Sequence, residues 1–447
     1  MNPTLPIRPD RLLRWLAPAL VFAALLAALA TVNASPPPAS GPSPTADAVS
    51  DGTGTRSLVL NLRAALADDP ANAEGWTSLG GAYYQRARET GDPSFYTRAD
   101  DAYARALGNE PEAATEATAI AGQATIALAR HDFAGGLELA SRARSIAPDL
   151  LVSLPALYDA QIELGRYGAA TETLDRLLSL KPTLAAYARA SYLRELEGDL
   201  PGAIAAMRLA VSAGSGSGAD QAYVQNLLAD LQADTGRYAA AERGHRAALA
   251  VSPGNPTALT GLATLAAGRG DFAPAIRRLR GLAGTSPVPE FTIPLAETEE
   301  AAGLSGPARH DYAIAELEIK LHGARGENVD TELALFLANH GDASAAVQHA
   351  RSGWAAAPSV RAADALAWAL HANGDAAAAS RWSAEAMRLG SRDPMFLYHA
   401  GMIARADGRT VAARRYLGRM LEQSPRFNPL YAPRAERALA GRKAYVS

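Results

Sequence analysis

The stretch Gly236 to Pro253, GRYAAAERGHRAALAVSP, constrains this chain more than any other, because close variants of it recur along almost the whole length. Each variant places a glycine at a turn, an aromatic or apolar residue just after it, a small residue near the next helix start and a proline beyond that helix. The turn position runs through His131, Gly165, Gly198, Gly236, Gly270, Gly303, Gly341, Gly374 and Gly408, at spacings of 34, 33, 38, 34, 33, 38, 33 and 34 residues. A fixed period of this size marks a supersecondary unit that cannot bury its apolar face alone and must stack on its neighbours. The two longer spacings coincide with Gly214 to Gly218 (GSGSG) and Gly323 to Gly326 (GARG), each predicted to lengthen an inter-repeat loop. Pro111, Pro148, Pro182, Pro253, Pro287, Pro358 and Pro425 fall in register as closing residues, where proline stops a helix.

The unit has a physical logic. The turn glycine allows the positive φ that ends a first helix. Ala170, Ala203, Ala241, Ala275, Ala346, Ala379 and Ala413 are small enough for two helices to approach closely. Pro201, Pro274 and Pro307 stand near second-helix starts, where a missing N–H is harmless. Pro155 and Pro294 fall inside predicted first helices, so delayed starts or kinks are expected there.

The first unit carries the most diagnostic residues. Trp76, Leu79, Gly80 and Tyr83 match W-x2-L-G-x2-Y, and Ala99, Tyr103, Ala106 and Pro111 match the A-x3-F...P half that follows. Here the chain resembles the tetratricopeptide repeat family. An insertion around Arg88 to Thr97 implies a longer first helix or an extra loop. The expected fold is all-α: a right-handed α-solenoid of about ten helix-turn-helix repeats over residues 73–426, with a half-repeat helix at 56–70 and a cap and basic tail at 427–447. Arg434, Glu436 and Arg437 are expected to give that cap a polar outer face.

The resemblance also implies a concave groove, lined by the first helix of each pair, that receives a peptide or a helix of another protein. In this register the groove-facing residues include Asp159, Tyr192, Glu195, Tyr223, Asn226 and Asp230 in the middle, a polar, aromatic and acidic stretch. Towards the C-terminus, Asp364, Trp368 and His371 lie at i, i+4 and i+7 on one helix, and Tyr398, Met402 and Arg405 do so on the next unit. Trp, Tyr, Met and Arg are enriched in interface cores, so this second group is read as an anchor patch; packing within the solenoid is the competing reading. The lysine and asparagine cluster with which chaperone-binding members clamp a terminal carboxylate is missing.

Arg8, Arg11 and Arg14 precede an uncharged apolar run, Trp15 to Val32, and Val32-Asn33-Ala34 resembles a secretory cleavage site. Residues 1–34 are therefore an N-terminal signal peptide or a signal anchor, since 18 residues span roughly 27 Å as a helix. Either way the remainder is exported, to the periplasm or beyond or held at the membrane by this segment alone. Residues 35–55, rich in Pro, Ser, Thr and Gly, read as a flexible linker.

Exclusions narrow the function. A formal net charge of -3 and a pI near 6.3 give no overall footprint for nucleic acid. The absence of cysteine removes disulfides, thiolate metal sites and a thiol nucleophile. No H-E-x-x-H, P-loop or nucleophile elbow occurs. Arg269-Gly270-Asp271 occupies an ordinary repeat turn, and His371 with His399 is the nearest approach to a metal pair. The expectation is a non-enzymatic interaction scaffold with a protein or peptide partner, no cofactor and no metal. The alternative is a small-ligand receptor or enzyme with a pocket between the helices.

Overall fold

The computed structural model describes residues 52–90, 92–214 and 218–441. The segment read as a signal or anchor, the linker as far as residue 51, the core of the GSGSG stretch and the last six residues lie outside the described residues. Within them are 22 α-helices and no strand. No described helix is long and apolar enough to cross a membrane.

A lone helix, α1 (Gly52–Asp68), begins within the stretch assigned to the linker. Ten helix pairs follow. They are α2 (Ala73–Thr90) with α3 (Ser94–Gly108), α4 (Ala113–Ala129) with α5 (Phe133–Ile146), α6 (Leu154–Glu163) with α7 (Tyr167–Leu180), α8 (Leu184–Leu196) with α9 (Leu200–Ser212), and α10 (Gly218–Asp234) with α11 (Tyr238–Val251). The second five are α12 (Pro256–Gly268) with α13 (Phe272–Thr285), α14 (Pro289–Ala301) with α15 (Ser305–Ala324), α16 (Asp330–His340) with α17 (Ala343–Ala356), α18 (Val360–Ala372) with α19 (Ala376–Ala386), and α20 (Pro394–Ala406) with α21 (Thr410–Gln423). Helix α22 (Tyr431–Leu439) closes the chain. Each helix packs on the next, forming a solenoid.

The turn between paired helices is built as its residues dictate. Gly165, Gly198, Gly236, Gly270, Gly303, Gly374 and Gly408 all take positive φ, and His131 substitutes for glycine at φ 59°. An aspartate after the turn residue then caps the second helix: Asp132, Asp199 and Asp375 each accept the amide three residues on. Gly341 departs from the pattern with φ -134°, because Asp342 takes both the Ser344 and Ala345 amides and sets the turn itself.

The insertions are absorbed mainly by helix. The extra residues before Thr97 extend α2 to 18 residues. Gly323 and Ala324, expected in a loop, belong to α15, which reaches 20 residues where a typical second helix has 14. Both glycine and alanine continue a helix that has apolar contacts to make, and Val329 packs 3.0 Å from where a Cβ on Gly323 would lie. Pro155 delays its helix, which starts after a 3₁₀ turn at Leu151–Ser153. Pro294 sits inside α14 without ending it.

The solenoid does not remain open. The turns of its first half touch the inter-repeat loops of its second half at a constant offset. Asn328 donates its amide to the Arg130 carbonyl at 3.1 Å. A Cβ on Gly165 would lie 2.3 Å from the Pro358 carbonyl oxygen, one on Gly198 2.2 Å from that of Gly390, and one on Gly236 2.6 Å from that of Gln423. Each turn thus meets the loop five units further on. The seam is reinforced where the signature reads GRY: the Tyr167 hydroxyl accepts the Val360 amide at 2.9 Å, and the Tyr238 hydroxyl accepts the Arg426 amide at 2.8 Å. Arg388 and Arg426 cover the two rings at 4.9 and 4.6 Å.

Candidate functional site: the concave face

In an open solenoid the first helices would leave one face to solvent. Here Leu154 to Ile162 of α6 are buried without interruption, as are Ala362 to Leu370 of α18 and Pro394 to Gly401 of α20. The concave face is lined by groups that meet one another across the coil.

In the first half, Arg88 of α2 pairs with Asp220 of α10 at 3.2 Å, joining the first unit to the fifth. Asp159 receives both arms of Arg189, at 2.9 and 2.7 Å, and both side chains are almost completely buried. Burial, partly offset by Arg189, pushes Asp159 up to about 6. The Tyr223 side chain, 9% exposed, lies within electrostatic reach of Arg88 and Asp159. Val360 and Phe396, from the second half, pack among Tyr158, Ile162, Leu193 and Leu196.

Beside that contact lies an acidic pocket of side chains around Arg361, whose Nη1 donates to the Tyr192 hydroxyl at 3.3 Å. Burial and the neighbouring Asp234 raise Glu195 to about 8, with Arg361 opposing. Burial likewise raises Glu163, and burial together with Asp234 raises Asp393 well above the usual carboxylate range. Asn226 is structural: its amide nitrogen reaches Asn255 Oδ1, the N-cap of α12, and its oxygen lies 3.0 Å from His245 Nδ1. Asp230, half-buried, lies 3.5 Å from His245 Nε2.

The C-terminal group is brought together, but inside the protein. Trp368 Nε1 donates to Asn339 Oδ1 at 3.0 Å, and its ring stacks on His399 at 4.2 Å. Asp364 accepts from His399 Nδ1 at 2.7 Å, and His371 lies 4.8 Å from the Trp368 ring, lowered to about 4 by burial. Trp368 is 4% exposed and Tyr398 1%. The anchor patch is therefore a core in this conformation, with Met402 half-buried against it and only Arg405 exposed.

What covers that patch is the chain's own end. The Tyr431 ring of α22 packs 5.0 Å from that of Tyr398, tilted by 46°, and Phe427, Leu430, Ala432 and Ala435 join the same core. Glu297 of α14 holds the segment, accepting from Asn428 Nδ2 at 3.0 Å and from the Tyr431 hydroxyl at 3.2 Å. The outer face of α22 is polar at Glu436 and Arg437, which are exposed, while Arg434, expected there too, is largely covered and reaches Glu300 at 3.6 Å. Phe427, Leu430 and Tyr431, at i, i+3 and i+4, carried that signal in the sequence.

The repeat chemistry is equally specific. Gly80 and Gly122 flank the ring of Tyr103 so closely that a Cβ on either would fall 2.6 or 2.2 Å from it, while Ala99 and Ala106 are fully buried beside it. Gly80, Ala99, Tyr103 and Ala106, motif residues of the first unit, therefore pack on one another. The chain is an all-α solenoid of helix-turn-helix repeats whose first unit resembles the tetratricopeptide type. No family model and no curated protein matches this chain. Among solved structures it is similar to the APC/C hetero-tetramer Cut9-Hcn1, at 13% identity over 87% of this chain and 93% of that one, TM-score 0.32. It is also similar to a tetratricopeptide repeat protein from Parabacteroides merdae ATCC 43184, at 16% identity over 58% of this chain and 98% of that one, TM-score 0.39. Among the described residues of the solenoid, no group of three or more His, Asp or Glu is placed to hold a metal ion.

Proposed function

We propose that the chain is a non-enzymatic protein–protein interaction scaffold working outside the cytoplasm, which takes a peptide or helical segment of a partner on its concave face. One observation carries this reading: the concave side of the last four repeats holds a helix, α22, gripped by Glu297 through Asn428 and Tyr431. A surface that seats one amphipathic helix of its own has the shape and hydrogen-bonding groups to seat another. The partner's segment then competes with α22, and its affinity is reduced by the cost of displacing it.

Export is supported by Arg8, Arg11 and Arg14 ahead of the apolar run Trp15 to Val32, whether residues 1–34 are removed or retained as an anchor. A role in assembling or regulating an envelope complex fits a body carried on a linker at 35–55.

The test is crosslinking of the full chain in its native host, with identification of what it captures. Tyr431→Ala, which loosens α22, should raise capture of a specific partner. An engineered disulfide pinning α22 to α14 should abolish it; equal capture by the loosened and pinned chains would rule the concave face out.

A further inference from the structure

Charge is distributed radially in this protein, a fact hidden by its near-neutral total. The buried carboxylates described above lie on first helices, while arginines accumulate on the outward faces of second helices. The seam concentrates them. Gln423 and Ser424, at the end of α21, hydrogen-bond the Asp234 and Ala233 carbonyls just before α11, and a Cβ on Gly268, just before α13, would lie 2.6 Å from the Arg426 carbonyl oxygen. Helices α11, α13 and α21 therefore radiate from one point. Together they hold eight arginines against two glutamates, Glu242 and Glu422.

Two of these arginines are engaged, Arg246 with Glu242 and Arg280 with the buried Glu299. Arg243, Arg277, Arg278, Arg414 and Arg419 are exposed and have no ion-pair partner among the described residues. The exposed large apolar side chains among them are aliphatic, while the Tyr416 ring is half-buried with Arg415 over it at 5.0 Å. Val411 is 82% exposed and shares a face with Arg414 and Arg415; Val251 is 44% exposed and shares one with Arg243.

We infer that the convex face formed by α11, α13 and α21 docks on anionic phospholipid headgroups. The inference goes beyond the scaffold reading and does not depend on it. Arginines supply the attraction to a negative surface, and exposed aliphatic groups between them enter the headgroup region at little cost. A nucleic acid fits the same charge less well, since Val411 and Val251 give a base nothing to stack on.

The absence of cysteine permits a clean test on the full chain. A fluorophore is placed on Gly281→Cys, an exposed α13 site with nothing within 4 Å of the new Cβ, or on Gly168→Cys of α7, equally open, on a helix bearing Glu172 and Asp175. Vesicles of phosphatidylcholine, with or without phosphatidylglycerol, carry a headgroup quencher. Quenching at Gly281→Cys should rise several-fold with phosphatidylglycerol, fall with added salt, and be lost in the triple variant Arg243→Glu, Arg277→Glu, Arg278→Glu, while Gly168→Cys changes little. Equal quenching in both vesicles, or an unaffected triple variant, overturns the inference. Loss of duplex DNA binding in the triple variant, without any lipid dependence, would reassign the face to nucleic acid. Flotation with phosphatidylcholine alone reports the N-terminal segment, so failure of the anchor and failure of the face are read separately.

Discussion

The Tyr167 hydroxyl accepts the backbone amide of Val360 at 2.9 Å, across 193 residues of chain. Val360 is fully buried, so its N–H has no water to turn to. Tyr167→Phe should cost about 1–3 kcal/mol, the penalty for stranding a buried donor. Tyr238→Phe, which strands the more exposed Arg426 amide, should cost less. Urea midpoints of the single and double variants check both, and the two sites are far enough apart for the effects to add.

Two glycines separate the seam from the turn. Gly165 and Gly374 have φ of 68° and 85°, yet a Cβ on Gly165 would strike the Pro358 carbonyl oxygen while one on Gly374 would meet nothing within 4 Å. Gly374→Ala should cost about 1–2 kcal/mol for its backbone conformation alone. Gly165→Ala should cost at least about 2 kcal/mol more in the same denaturation series, because the seam must part to admit it.

The Asp159–Arg189 pair is buried on both sides. Arg189→Met leaves a carboxylate uncompensated, and about 3–5 kcal/mol should be lost; adding Asp159→Leu should restore much of it. Thermal unfolding of the three chains distinguishes a pair that is merely tolerated from one that stabilises.

Glu195 makes stability depend on pH. Its folded pKa of about 8 lies above that of the unfolded chain, so the folded state binds more protons between pH 4.5 and 8. Stability should therefore fall as pH rises through that window, by up to about 1.4 kcal/mol per unit, and level off above it. His371, lowered to about 4, acts on the other side: stability falls as pH drops from 6.5 towards 4. In Glu195→Gln the decline between pH 6 and 8 should shrink while the acid limb is kept, as read by chemical denaturation at each pH.

Trp368→Ala should lower stability by about 3–5 kcal/mol, since the indole is buried, hydrogen-bonded to Asn339 and stacked on His399. Proteolysis near Phe427 should accelerate in that variant, because α22 packs on the same core. Intact stability with altered partner binding would instead return Trp368 to the surface.

The parts of this fold legible in the sequence are those that repeat. Turn glycines, small residues and closing prolines recur in unit after unit, so their period revealed the helix pairs. The seam left no signal of its own, because the Gly165 and Pro358 that meet across it are a turn glycine and a closing proline like those of other units. The sequence left two readings of the concave face open for a related reason. The offsets of Asp364, Trp368 and His371 gave a shared helix face, but whether that face meets solvent depends on Tyr398 and on Tyr431, far along the chain. The signature tyrosine of GRY shows the same division: its place in the unit was evident, its partner was not.

The five-unit offset has a consequence for inheritance. Open repeat arrays can gain or lose a unit by recombination and still fold, since each module answers only to its neighbours. Deleting one unit here would bring every later loop to the wrong glycine and set Tyr167 and Tyr238 against the wrong amides. The chain is thus wound like thread on a spool, each layer held by the one beneath, and its number of repeats should be as firmly selected as any residue in it.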